Sequence, residues 1–194
     1  MRFILSAFAV FTFLSAQAQI YTAKTGSTLI NFYSEAPMEN IEATNKGAVI
    51  VFKASTGDLQ VRVTMENFRF NNSLMKEHFN ENYMETDKKV DVNGAASYPN
   101  RYAEFKGKLN EQIDYTKDGE HKVSLTGKMY MHGVSRDITI DGTLNKKGED
   151  IFINSKFKVK VADYNIKVPS MYVKNIAEEV DITISSVLEP LKKK

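Results

Sequence analysis

An all-β domain, a barrel or sandwich of about eight antiparallel strands with one short helix, is the fold class this sequence predicts. Three observations lead there. Apolar and polar residues alternate with period two along most of the 194-residue chain. Turn sequences rich in Gly and Asp separate the alternating runs at fairly regular spacing. Only one stretch, Ser73–Tyr83 (SLMKEHFNENY), carries helical periodicity instead.

The chain opens on a processing signal. Arg2 supplies a charged start, and FILSAFAVFTFLSA is an apolar run too short to span a bilayer comfortably. Ala16-Gln17-Ala18 is a small-residue cleavage site, so cleavage is expected after Ala18. Residues 1–18 are then a signal peptide, and 19–194 form one domain, exported to the periplasm or secreted. No later run is apolar enough to cross a membrane, so stable membrane insertion is not expected.

The strands follow in order. Less tidy alternation fits 28–34 and 47–52, and Leu59–Met65 is clean, with its odd positions apolar. After the helix come 102–109, Val123–Met131, Ile138–Leu144, Ile151–Val161 and Val180–Leu188. Each has one apolar and one polar face, as in an antiparallel sheet that is wet on one side. The turns TGD (56–58), KDGE (117–120) and KKGED (146–150) agree. Gly107, Gly127 and Gly142 share the apolar phase, where a glycine marks a bend, a bulge or a close approach.

The helix places Leu74, Met75, His78, Phe79 and Tyr83 on or near one face, with Phe68 and Phe70 just before it. Lys76, Glu77, Asn80 and Glu81 lie mostly opposite, and Ser73 is the expected N-cap. This reads as an amphipathic plug whose apolar face closes one end of a barrel.

Composition excludes several chemistries. With no cysteine there is no disulfide, thiolate nucleophile, Cys-ligated zinc or lipidated Cys. A formal charge of +2 with interspersed signs gives no nucleic-acid footprint. Lys192, Lys193 and Lys194 read as a solvated terminus. His78, His121 and His132 are the only histidines, and the Glu77, His78, Glu81 spacing does not fit a helical metal motif. No G-x-S-x-G elbow or Gly-rich phosphate loop occurs. Asn71-Asn72-Ser73 matches a short and common glycosylation pattern. No catalytic set, metal site or cofactor is predicted. An enzyme reading, with His78, Glu81 or His132 as acid/base groups, would rest on the presence of titratable groups alone. Met65, Met129 and Met131 fall in apolar strand phases and Met75 on the helix. Flexible thioethers suit either an irregular apolar guest or the filling of core gaps.

The runs NNSLMKEHFNENYMETDK (71–88), YPNRYAEFKGKL (98–109) and LTGKMYMHGVSRDITIDGTL (125–144) resemble the YceI-like family. ADYNIKVPS and KNIAEEVDITI (162–184) resemble the segment leading into that family's last strand. The resemblance implies a lipocalin-like, eight-stranded antiparallel barrel with the helix at about 73–83 near its mouth. It implies an apolar small-molecule partner, a polyisoprenoid or an isoprenoid quinone; an acyl lipid is a further candidate for a carrier of this kind. His132, in the MHGVSR turn, is then a turn residue. KVDVNGAAS (89–97) departs from the family pattern as an insertion beside the barrel mouth.

On this reading the ligand would meet Met65, Phe68, Phe70, Leu74, Met75, His78, Phe79 and Tyr83 around the helix. On the strands it would meet Phe105, Leu125, Met129, Met131, Ile140, Phe157 and Ile182. Leu59, Val61, Val63, Val123, Ile138, Val159 and Ile184 share the apolar phase as wall or core. A barrel filled by its own side chains, acting through its surface or the 89–97 segment, is the competing reading. Oligomeric state stays open, homodimer included.

Overall fold

The computed structural model describes residues 19–35, 40–167 and 177–192. The signal peptide assigned to 1–18 lies outside the described residues.

Eight staves close into an antiparallel barrel. Three of them are interrupted. β1 (Ile20–Ala23) and β2 (Leu29–Ser34) lie end to end, as do β3 (Ile41–Asn45) and β4 (Val49–Lys53). β5 (Asp58–Thr64) is followed by a two-residue β6 (Arg69–Phe70). A small hairpin, β7 (Val90–Val92) and β8 (Ala95–Ser97), stands apart. The remaining staves are β9 (Tyr102–Leu109), β10 (Gly119–Met131), β11 (Val134–Lys147), β12 (Asp150–Lys160) and β13 (Glu179–Pro190). The main sheet runs β1-β4-β5-β9-β10-β11-β12-β13-β2-β3-β6, and β13 also pairs with β1, which closes the ring.

The three breaks have local causes. Gly26, at φ +76, turns the chain between β1 and β2. Asn45 is fully buried between β3 and β4. Its Nδ2 donates to the Thr64 carbonyl at 2.9 Å, and its Oδ1 accepts the Gly47 N–H at 2.9 Å. A 3-10 turn, Met65–Asn67, separates β5 from β6. Above these breaks β2, β3 and β6 form a flap, with Phe32, Ala43 and Phe70 abreast.

The in-strand glycines mark close approach of backbone. Gly107 and Gly127 are register partners, and a Cβ on Gly127 would collide with the Lys106 carbonyl and the Gly107 Cα. A Cβ on Gly142 would meet the Asn154 carbonyl at 2.5 Å.

The helix differs from expectation in two ways. Its N-cap is Asn72 rather than Ser73, with Asn72 Oδ1 accepting the N–H groups of Leu74 (2.9 Å) and Met75 (3.4 Å). Only Ser73–His78 is α-helical, as α1; Phe79–Tyr83 is a π-helical turn that ends with the Met84 N–H donating to the Phe79 carbonyl at 2.8 Å. An i to i+5 bond widens the turn. Phe79 and Met84 are thereby both buried, at 8% and 3% exposure.

Two apolar clusters fill the barrel unequally. One end packs Tyr21, Ile50, Phe52, Leu109, Val123, Leu144, Ile151 and Leu188, with Tyr115 against Phe52 at 5.8 Å between ring centroids. Burial pushes the Tyr115 phenol up to about 12, with Tyr21 adding to the effect. The other cluster lies toward α1 and is rich in Phe and Met.

Candidate functional site

Alternation puts every second side chain of each stave inside, and an eight-stranded ring is wide enough for side chains or one small ligand. Burial along the staves distinguishes the two. On β12, inward Ile151 and Val159 are buried at the ends, but Ile153, Ser155 and Phe157 between them are only half-buried. On β13, Ile182 and Ile184 are half-buried between buried Val180 and Ser186. On β10, Leu125 is half-buried between Val123 and Met129. Leu59, Val61 and Val63 of β5 behave the same way. A belt of inward apolar side chains at mid-barrel therefore lacks full contact between two packed ends.

The belt surrounds a cavity of about 180 Å³. Its wall includes ten of the sequence candidates: Met65, Phe68, Phe79, Phe105, Leu125, Met129, Met131, Ile140, Phe157 and Ile182. Apolar voids of this kind stay dry and accept apolar guests. The barrel is not packed solid by its own side chains.

Five other candidates lie off the wall. Leu74 is 54% exposed, because α1 buries none of its own residues and its apolar positions only graze the flap. Met75, His78 and Tyr83 are half-buried beside it. Phe70 stands behind Phe79, ring to ring at 5.0 Å. Phe79 also meets Phe68 at 5.6 Å and Phe32 at 6.0 Å, edge to face. This aromatic plug, rather than the whole face of the helix, closes the end.

Several wall residues had weak signals in sequence. Ile30 and Phe32 sit in LINFYS, where both faces are apolar and no phase stands out. Met84 reaches the wall only through the π-turn, which a helical wheel does not anticipate.

At the rim, His132 and Gly133 take φ +51 and +77, forming the tight β10–β11 turn. His132 Nδ1 lies 3.0 Å from the Tyr164 carbonyl and donates to it, while Nε2 lies 3.3 Å from Glu85 Oε2 without an aligned hydrogen bond. The Lys88 ammonium, bonded at 2.8 Å, holds the Glu85 carboxyl below its usual range against partial desolvation, and His132 adds to this. Among the described residues no cluster of three or more His, Cys, Asp or Glu could hold a metal. No described helix is long and apolar enough to cross a membrane.

A closed eight-stave barrel, hollow at mid-height and plugged by a helical turn, invites comparison with known proteins. The YceI-like domain matches residues 21–188. The chain belongs to the YceI-like family. Solved structures share the fold at low identity. A polyisoprenoid binding domain from Saccharophagus degradans, implicated in plant cell wall breakdown, superposes with a TM-score of 0.71 at 13% identity, over 88% of this chain and 98% of that one. Burkholderia cenocepacia BcnA gives 0.66 at 16% identity, over 85% and 98%. A Campylobacter jejuni YCEI protein gives 0.52 at 15% identity, over 100% and 99%. No curated protein sequence matches the chain. Residues 89–97, read from the sequence as an insertion, contain the β7–β8 hairpin, turned at Asn93 and Gly94 with φ +54 and +82.

Proposed function

We propose that this YceI-like protein is an exported, non-enzymatic carrier or store for one long apolar molecule held in the barrel. Polyisoprenoid chains, isoprenoid quinones and acyl lipids are the candidate ligands. The observation that carries the reading is the half-buried apolar belt of β5, β10, β12 and β13 between two packed ends. Apolar contact supplies the affinity, at roughly 0.8 kcal/mol for each methylene buried. Met65, Met84, Met129 and Met131 on or beside this wall adapt to an irregular chain. The likeness to a polyisoprenoid binding domain favours an isoprenoid over a straight acyl chain. Phe105, Leu125, Phe157 and Ile182 are the residues we assign to ligand contact at mid-barrel.

The test is organic-solvent extraction of the mature protein, purified without detergent from its own host, followed by mass spectrometry. A near-stoichiometric isoprenoid or acyl lipid is expected. An empty extract, together with failure of the purified protein to take up NBD-labelled geranylgeraniol, would sink the proposal.

A further inference from the structure

The wall between β11 and β12 is incomplete. β10 pairs with β11 along its whole length, from Gly119 and Lys146 to Met131 and Val134. β12 likewise pairs with β13 from Lys160 and Glu179 to Ile151 and Leu188. Between β11 and β12 the ladder runs only from Lys147 and Asp150 to Gly142 and Ser155, and stops. Beyond that point β11 continues to Val134 and β12 to Lys160 with no strand pairing between them among the described residues. Continuing the register would set Ile140 against Phe157 and Ile138 against Val159, all inward-facing.

The foot of this seam is built. Ser155 Oγ donates to the Asp141 carbonyl at 2.6 Å, so a side chain takes the acceptor beside the last ladder pair. The outer edges carry opposite charge, Asp137 and Asp141 on β11 and Lys156, Lys158 and Lys160 on β12, all exposed. Yet the closest partners lie away from the seam. Asp137 binds Lys128 of β10 at 2.8 Å, and Lys158 faces Asp181 of β13 at 3.9 Å. Charges that could zip the seam instead tie each edge to the strand behind it.

The head of the seam is latched. After β12 the chain makes a 3-10 turn, Val161–Tyr164. Arg136 Nε donates to the Asp163 carbonyl at 3.0 Å, and His132 donates to the Tyr164 carbonyl at 3.0 Å. The unpaired length between latch and foot is about five residues, roughly 16 Å of strand. Directly behind it lie cavity residues Ile140, Phe157 and Val159, and the wall reaches Gly142 and Ser155 at the foot.

We propose that this seam is a lateral gate through which a long apolar chain enters and leaves the barrel sideways, and that the Arg136 and His132 bonds to the 3-10 turn are its latch. The inference rests on the carrier reading. Exit past α1 would separate the Phe32, Phe68, Phe70 and Phe79 rings and expose their apolar area to water. Among the described residues, widening the seam breaks no ladder pair and releases the Arg136 and His132 hydrogen bonds to the 3-10 turn. A sideways path also spares the chain from being threaded end-on past that plug.

The absence of cysteine makes the test clean. Thr139→Cys with Lys158→Cys places two outward thiols across the seam, to be joined as a disulfide or, where the sulfurs stay apart, by a short bis-maleimide. Gln60→Cys with Lys106→Cys places the same crosslink on the fully paired β5–β9 wall, away from the seam, as a control. The readout is transfer of NBD-labelled geranylgeraniol between protein and phosphatidylcholine vesicles. The seam crosslink should slow uptake and release at least tenfold, with the disulfide form recovering on reduction. The control crosslink should leave both rates unchanged. Arg136→Gln, which loses the latch, should speed both. Unchanged rates with the seam joined would overturn the gate while leaving the carrier intact. Failure of the wild type to take up the probe would remove the carrier reading itself.

Discussion

The two halves of the barrel use the same staves to opposite effect. At one end of β12 and β13, Ile151 and Leu188 are 0% exposed, locked among Tyr21, Ile50 and Phe52. A few residues along the same strands, Phe157 and Ile182 keep part of their surface free. Alternation and apolar character are alike in both places. The difference lies in what arrives from across the ring. At the packed end the β9–β10 connection brings in Tyr115 and Ile113, while among the described residues no equivalent connection packs against the mid-barrel belt. The packed cluster contains no methionine, whereas the hollow half collects Met65, Met84, Met129 and Met131. A barrel of this kind is thus stabilised at one end and left adaptable in the middle.

The largest expected effect tests the packed end. Ile151→Ala removes a fully buried side chain from a site with no slack, so both transfer and cavity terms apply. A loss of about 2–5 kcal/mol in unfolding free energy is expected by urea titration, with little change in probe affinity once folded. A smaller effect is expected at Ile182→Ala. The void is already there, so mainly the transfer term remains, about 1 kcal/mol. Here probe affinity should fall roughly tenfold, a loss of about 1.4 kcal/mol of binding free energy. Equal destabilisation by the two variants would show that the belt is ordinary core and end the distinction.

The sequence made the packed end and the hollow belt look alike, and the reason is physical. Period-two patterning reports which face of a strand is inside, not whether the inside is full. The runs 123–131, 151–161 and 180–188 reappear as β10, β12 and β13 within a few residues. The stave read at 28–34 turned out to share its line with a separate β1, and β3 at Ile41–Asn45 went unread before the 47–52 run. Both splits follow from bends at Gly26 and Asn45 that short alternation cannot announce. In 89–97 the Asn93-Gly94 pair is a strong hairpin signal and could have been read as β7–β8. The seam between β11 and β12 was invisible, because the period-two alternation in Ile138–Leu144 says nothing about which neighbour a strand lacks.

The helix end sharpens the comparison at the smallest scale. Asn72 fixes the first turn of α1 through its side chain, while the plug itself depends on Phe79 and Met84 in the π-turn five and more residues later. If plug and helix start are energetically separate, Asn72→Ala should cost about 1 kcal/mol locally. Amide exchange of Leu74, Met75 and Lys76 should quicken, because the first two lose their acceptor and the third donates to the Asn72 carbonyl. The Met84 amide, bonded to the Phe79 carbonyl, should keep its protection, and probe transfer should keep its rate. Faster exchange at Met84 together with faster probe transfer would mean that the aromatic plug opens with the helix. The route in and out would then run through the plugged end, and the β11–β12 seam would be only a thin place in the wall.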